Sequence, residues 1–496
     1  MKNIYQYIWV LSVVFCCIAC GKVDVRISKD LEENPSIFPD YKEVTVPYNI
    51  APLNFSYMGE EECCLFVAGV DGEMQVPGVK GLFSFSGSSW KELMERNKGG
   101  ALKLTVAIRS GDEWVGYKSF HIYVAAEPID AYLSYRLIPP GYEGWKEMGI
   151  FQRNLENYEQ TAIYENKLTD GNCVNCHSYC NRNPDKMLFH ARAGCGGTVM
   201  ICDQVIEKLN TKTDSTISAL VYPYWHPSGR YVAFSVNKTK QSFFNNHPNR
   251  VEVYDLASDV VVYNVQTHRI AYSPLTKSAG AFETFPAFSP DGRSLYFCSA
   301  QAVDSMPQKY KEVKYSLCRM DFDPENMIFG NRVDTLYNAP LHGKSVSFPR
   351  ISPDGRFLAF TLHEFGNFSI WHKDADLYMA DLQTKEVYPL SEANSDDVDS
   401  YHSWSDNSRW MVFSSRRIDG LYTRLFIAYI DEKGQAHKPF LLPQNNPSVY
   451  YKRLMFSYNI PELMVKKADV SKHKIANVLR NSAGIDVTAD PIMPNF

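Results

Sequence analysis

Apolar and polar positions alternate along most of the chain from about residue 46 onward, with the two-residue period of half-buried strands. In the run 101–108, Leu102, Leu104, Val106 and Ile108 share one face, and Phe120, Ile122 and Val124 alternate likewise further on. Glycine-containing turns separate these runs, and one short helix is expected around Ser89 to Asn97. Residues 46–130 therefore predict a small β-sandwich, serving as a spacer or docking module. The adjacent Cys63 and Cys64 would point to opposite faces of one strand and read as packing residues.

Beyond the sandwich the alternation is organised into a repeat. Its copies are Trp225-His-Pro-Ser-Gly-Arg-Tyr-Val-Ala-Phe-Ser235, Phe288-Ser-Pro-Asp-Gly-Arg-Ser-Leu-Tyr-Phe-Cys298, Ile351-Ser-Pro-Asp-Gly-Arg-Phe-Leu-Ala-Phe-Thr361 and Trp404-Ser-Asp-Asn-Ser-Arg-Trp-Met-Val-Phe-Ser414. Each is a strand end, a Pro-Asp-Gly-type turn and an alternating strand, which is a hairpin signature. The fourth copy lacks the Pro and the Gly. A fainter copy stands at Asn183-Pro-Asp-Lys-Met-Leu-Phe189. Further strands, such as 249–255 and 376–381, lie between them. A hairpin cannot bury its apolar face alone, so units of this size must stack as blades of a β-propeller. Five blades are visible, and a sixth is expected from residues 441–456 joined to an N-terminal strand.

The flanking segments add a destination. Residues 1–19 begin with Lys2, continue through an apolar core from Ile8 to Phe15 and place Ala19 directly before Cys20, the layout of a lipoprotein signal with Cys20 as the lipidated residue. A linker rich in Lys, Asp, Glu and Pro is expected over 20–45. Residues 131–172 read as a connector to the propeller at 173–460, and 461–496 as a tail on the propeller's outside.

Candidate chemistry concentrates in residues 173–177, Cys-Val-Asn-Cys-His. Two thiols at this spacing can add to the two vinyl groups of one porphyrin, and the adjacent histidine can ligate its iron, which is the pattern of c-type haem attachment. Cys173 and Cys176 would form the thioethers and His177 the proximal ligand. Met187 or His190 is the candidate distal ligand, with Met200 a further one. Strand alternation allows at most one of Met187 and His190 to reach the iron. Ordinary packing competes with ligation at all three. The motif is also the start of a cysteine-rich stretch containing Cys180, His190, Cys195 and Cys202. A structural zinc site or a disulfide framework is therefore the alternative. Nine cysteines remain beyond Cys20, an odd number that leaves at least one thiol without a cysteine partner.

Other classes find less support. A net charge of −5 gives no footprint for nucleic acid. No G-x-S-x-G elbow occurs, and too little chain follows the propeller to build a hydrolase domain. His363 and the acidic run 396–399 read as turn and solvated-loop residues. The aromatic stretch 242–247 is a plausible partner contact.

The turn motifs resemble the propeller repeats of the TolB type over roughly residues 170–460, and that resemblance implies six blades. The order of the whole chain also resembles exported lipoproteins of Bacteroidetes-type bacteria. The expected fold is thus all-β, an immunoglobulin-like sandwich followed by a TolB-like propeller, anchored to the bacterial cell envelope through lipidated Cys20. Two functional readings stand: a haem c protein for electron transfer or redox sensing, with a redox partner on the propeller, or a non-enzymatic scaffold that binds another envelope protein.

Overall fold

A computed structural model describes residues 25–139 and 147–490. Cys20 and the signal sequence lie outside the described residues. The protein is all-β, a sandwich followed by a propeller.

In the sandwich a seven-stranded sheet opposes three short strands, Ile37–Phe38, Phe55–Tyr57 and Leu82–Phe83. The alternation read from the sequence sets its core: Leu102, Leu104, Val106, Ile108, Phe120, Ile122 and Val124 pack in one cluster. Cys63 joins that cluster while Cys64 joins a separate one, as opposite strand faces require. The single helix, Gly87–Arg96, starts at Ser86, whose hydroxyl accepts from the Ser89 amide, and it buries Trp90 and Met94. The sandwich also absorbs much of the expected linker. Ile27–Asp30 pairs in parallel with Glu113–Gly116, and Val44–Pro47 in parallel with Phe120–Ala125. The apolar Val44 and Val46 form one buried stripe there, which the surrounding charged residues disguise.

Six sheets form the propeller. Blades 2 to 6 begin with the inner strands Val174–Cys180, Val221–Trp225, Ala281–Phe288, Ser345–Ile351 and Asp399–Trp404. Blade 1 takes its inner strand from the far end of the chain, Ser457–Met464, and its remaining strands from Tyr132–Ile138, Gly149–Asn154 and Gln160–Glu165. Each inner strand neighbours the next, and Ser457–Met464 closes the ring between blades 6 and 2. The stretch expected to be a connector therefore carries three blade strands. The closing strand lies just beyond the segment expected to complete the sixth blade, because Asn446 caps a short helix, Pro447–Arg453, in that segment.

Blade cores follow the repeat. The second strands of blades 2 to 6 bury Phe189, Phe234, Phe297, Phe360 and Phe413 at 1 % exposure or less. Truncating any of them to Ala should cost about 3–5 kcal/mol. One apolar cluster runs from the sandwich into blades 5 and 6. There the Tyr41 hydroxyl donates to the Leu441 carbonyl at 3.1 Å, and the Asn54 amide to that of Asn445 at 2.9 Å. The tail straps the outside of the propeller: helix Lys472–Asn481 lies on blade 2, and Ile485–Asp486 and Thr488–Ala489 add parallel edge strands to blades 2 and 3.

Candidate functional site

All six inner strands share one irregularity. A non-glycine residue with left-handed backbone stands in each: Cys176 (φ 54°), Tyr222 (47°), Phe285 (50°), Phe348 (58°), Tyr401 (50°) and Ile460 (49°). At each the strand register shifts, as a β-bulge does. The next residue is Pro223, Pro286, Pro349 or Pro461 in four blades and His177 or His402 in the other two. Left-handed backbone costs a non-glycine residue about 1–2 kcal/mol, so it persists only where packing over-determines it. That packing is visible. The Tyr222 and Phe285 rings lie 4.6 Å apart, Phe285 and Phe348 5.6 Å, and Phe348 and Tyr401 5.1 Å, an arc of aromatic rings passed from blade to blade around the axis. Ile460 and Cys176 complete the circuit.

This ring locates the Cys-x-x-Cys-His motif. Cys176 and His177 occupy the place filled by an aromatic residue and proline in blades 3, 4 and 5. The match with blade 6 is closer still, since Cys176-His-Ser-Tyr-Cys180 lies opposite Tyr401-His-Ser-Trp-Ser405. His177 and His402 are 2 % and 1 % exposed, and neither nitrogen of either ring makes a hydrogen bond of normal geometry. Each ring faces the backbone of the preceding blade, at Ile460 and Ala359 respectively. Burial pushes both imidazoles down to about 3, so both are neutral. A blade with no cysteine thus builds the same histidine environment.

Haem attached here would need both thiols at one porphyrin edge and an open face at His177. Cys173 is half-buried ahead of the strand, and Cys176 is 3 % exposed with its thiol toward the Tyr222 backbone of blade 3. His177 turns instead toward blade 1, against Ile460 and the Tyr179 ring at 5.8 Å. A porphyrin at His177 would displace the strand that closes the propeller. The residues present do not fit the group. The distal candidates are committed elsewhere. Met187 is fully buried in the apolar cluster between blades 1 and 2, and Met200 in that between blades 2 and 3. His190 bonds through Nδ1 to the Thr198 hydroxyl at 2.7 Å, packs beside Phe234, and is pushed down to about 3 by burial. All nine cysteines among the described residues are unpaired thiols, and no cluster of three or more His, Cys, Asp or Glu side chains among those residues could hold a metal such as zinc. Burial raises the Cys176, Cys180 and Cys202 thiols above their ordinary range, which makes them poor nucleophiles.

What surrounds the motif is a charged channel mouth that the sequence did not reveal. Arg136, on the second strand of blade 1, donates to the Val174 carbonyl at 3.0 Å, to Asn175 Oδ1 at 2.6 Å and to Asn459 Oδ1 at 2.7 Å. Its Nε is buried without a partner. Arg192 is exposed, and its charge acts on Cys176, Tyr222 and Arg136. The charges of Arg136 and Arg416 both act on Tyr401, and the Arg416 guanidinium sits 3.3 Å from the Trp371 ring centroid. The blade 4 and 5 side of the mouth is closed by the long hairpin Tyr231–Phe243 and Val251–Asn264. From it, Glu252 pairs with His372 at 2.8 Å, and Asp255 accepts from Tyr315 at 3.0 Å and Asn367 at 2.6 Å. The aromatic stretch 242–247 forms the hairpin tip, where Phe243 is exposed. His363 and Asp399, expected in solvated turns, are fully buried instead, His363 against His372 and Asp399 paired with Arg417 at 2.6 Å. Deeper in the channel, half-buried Arg350 and Glu462 act on one another, and burial pushes the Glu462 carboxyl up to about 8.

No family model and no curated protein matches the chain. Among solved structures, an oligogalacturonate lyase in complex with manganese is similar at 14 % identity and a TM-score of 0.32, over 62 % of this chain and 85 % of that one. The tricorn protease is similar at 10 % identity and a TM-score of 0.28, over 68 % of this chain and 33 % of its own. A dipeptidyl aminopeptidase IV-type structure from Bacteroides ovatus is similar at 12 % identity and a TM-score of 0.26, over 61 % and 52 %. This chain thus spans about a third of the tricorn protease and half of the peptidase. These likenesses concern the propeller-type fold alone.

Proposed function

We propose that the protein is a lipid-anchored β-propeller of the bacterial cell envelope, TolB-like in type, that binds a ligand or partner protein at its channel mouth and catalyses no reaction. The observation that carries this reading is the convergence of Arg136, Arg192, Tyr222 and Tyr401, from four different blades, close enough for their charges and hydroxyls to act on one another around the ring of bulges. Anchoring rests on the Ala19-Cys20 signal pattern. A second reading, electron transfer through haem c on Cys173 and Cys176, rests on the spacing of the motif and requires His177 to leave its place between blades.

The mouth reading is tested by a photo-crosslinking residue placed at 222, with a second at the exposed Val205 on the outside of blade 2 as control. In native envelopes, one defined adduct at 222, absent at 205 and suppressed by excess purified protein, supports it. Equal adducts at both positions, or none at 222, would overturn it.

A further inference from the structure

Positive charge at the mouth has no acid to balance it. No ion pair joins Arg136 or Arg192 to a carboxylate among the described residues, and the hydrogen bonds of Arg136 go only to uncharged oxygens. A half-buried guanidinium such as that of Arg136 ordinarily meets an anion. The acids nearest the mouth are engaged elsewhere: Glu252 with His372, and Asp255 with Asn237, Tyr315 and Asn367. Arg136 is itself fixed. Three oxygens from blades 1 and 2 hold its plane, while Nε is buried without a partner, so the guanidinium keeps one donor that an entering acceptor would satisfy. Arg192 makes no side-chain hydrogen bond among the described residues, so it is free to close over a bound group. Tyr222 and Tyr401 put hydroxyl-bearing rings beside the two charges.

We infer that the mouth between blades 1, 2 and 3 is an oxyanion site, in which Arg136 and Arg192 receive a carboxylate or phosphate group of the ligand. The inference deepens the proposed binding role and rests on it. Carboxylate and phosphate offer the same paired acceptor oxygens to a guanidinium, and the test separates them.

The test is calorimetric titration of the soluble chain, without its signal, with citrate, with inorganic phosphate and with neutral glycerol, at constant ionic strength. Citrate or phosphate should bind in the millimolar range or tighter, and glycerol should not. The anion that binds identifies the group. Arg192→Ala should weaken binding at least tenfold with unchanged thermal stability, because the residue is exposed and its side chain makes no hydrogen bond or ion pair among the described residues. Arg136→Lys, which keeps the charge but loses the planar fork, should do the same, with its fold checked by circular dichroism. Equal binding by wild type and Arg192→Ala, or binding of neither anion, overturns the inference. In the second case a defined adduct at 222 would leave the mouth a partner site without an oxyanion pocket, whereas loss of both signals removes both readings.

Discussion

Replacing His177 with proline separates a blade element from a haem ligand. If the bulge position is equivalent in all six blades, proline is already the residue that four of them use, and their ladders do without an amide donor there. The imidazole is 2 % exposed and leaves two nitrogens unmet, at about 1–3 kcal/mol for each buried polar group without a partner. Proline removes that cost but gives up apolar contact with Tyr179, worth about 1–2 kcal/mol. The balance leaves His177→Pro at pH 7 between about as stable as wild type and about 5 kcal/mol more stable. Acid shifts it in a known direction. His177 has a folded value of about 3 against an ordinary 6.5, so between those limits the unfolded chain binds a proton that the folded chain refuses. Wild type therefore loses stability as pH falls from 6.5, by about 1.4 kcal/mol per unit from this residue, and the proline variant does not. At pH 5 the variant should stand about 2 kcal/mol better relative to wild type than at pH 7. Urea unfolding followed by tryptophan fluorescence at both pH values measures the difference. A loss above about 3 kcal/mol at pH 7, or a difference that ignores pH, would refute the equivalence of the six positions.

Glu462, pushed up to about 8 in the channel, is protonated in the folded state at neutral pH but charged when unfolded, so wild type should lose stability as pH rises from 4.5 to 8. Glu462→Gln should overtake wild type over that range in thermal melts, and parallel curves would contradict the assignment. Ending the chain after Phe456 removes the strand that closes the ring, and should abolish cooperative unfolding and expose apolar surface to a hydrophobic dye. Ending it after Met464 removes only the strap, and should keep a cooperative transition at lower temperature. Equal behaviour of the two truncations would show that Ser457–Met464 does not close the propeller.

Hairpins and blades are legible in the sequence because both their signals are local: the two-residue period and the Pro-Asp-Gly turn. Blade 1 is not, because its inner and second strands come from opposite ends of the propeller. Arg136 meets Asn459 across 323 residues, and no window of sequence contains both. The mouth is hidden for the same reason, as its charges and rings come from separate blades. The bulge ring leaves a trace, an aromatic residue in four blades (cysteine or isoleucine in the other two) followed by proline or histidine, but the trace emerges only when the repeats are aligned upstream of the turn. Aligned so, His177-Ser-Tyr179 beside His402-Ser-Trp404 shows that the histidine belongs to the repeat. Read alone, residues 173–177 satisfy the haem motif completely. The polarity of His363 and Asp399 suggests solvent, whereas an aromatic stack and an ion pair keep these side chains inside.

The most direct test of the account is the intact mass and visible spectrum of the protein made in a host that carries haem-attachment machinery. The account predicts the mass of the polypeptide, with any lipid at Cys20, thiols at Cys173 and Cys176 that react with an alkylating reagent once the chain is unfolded, and no haem absorption. An added mass of one haem, with a c-type absorption band that survives denaturation, would contradict it.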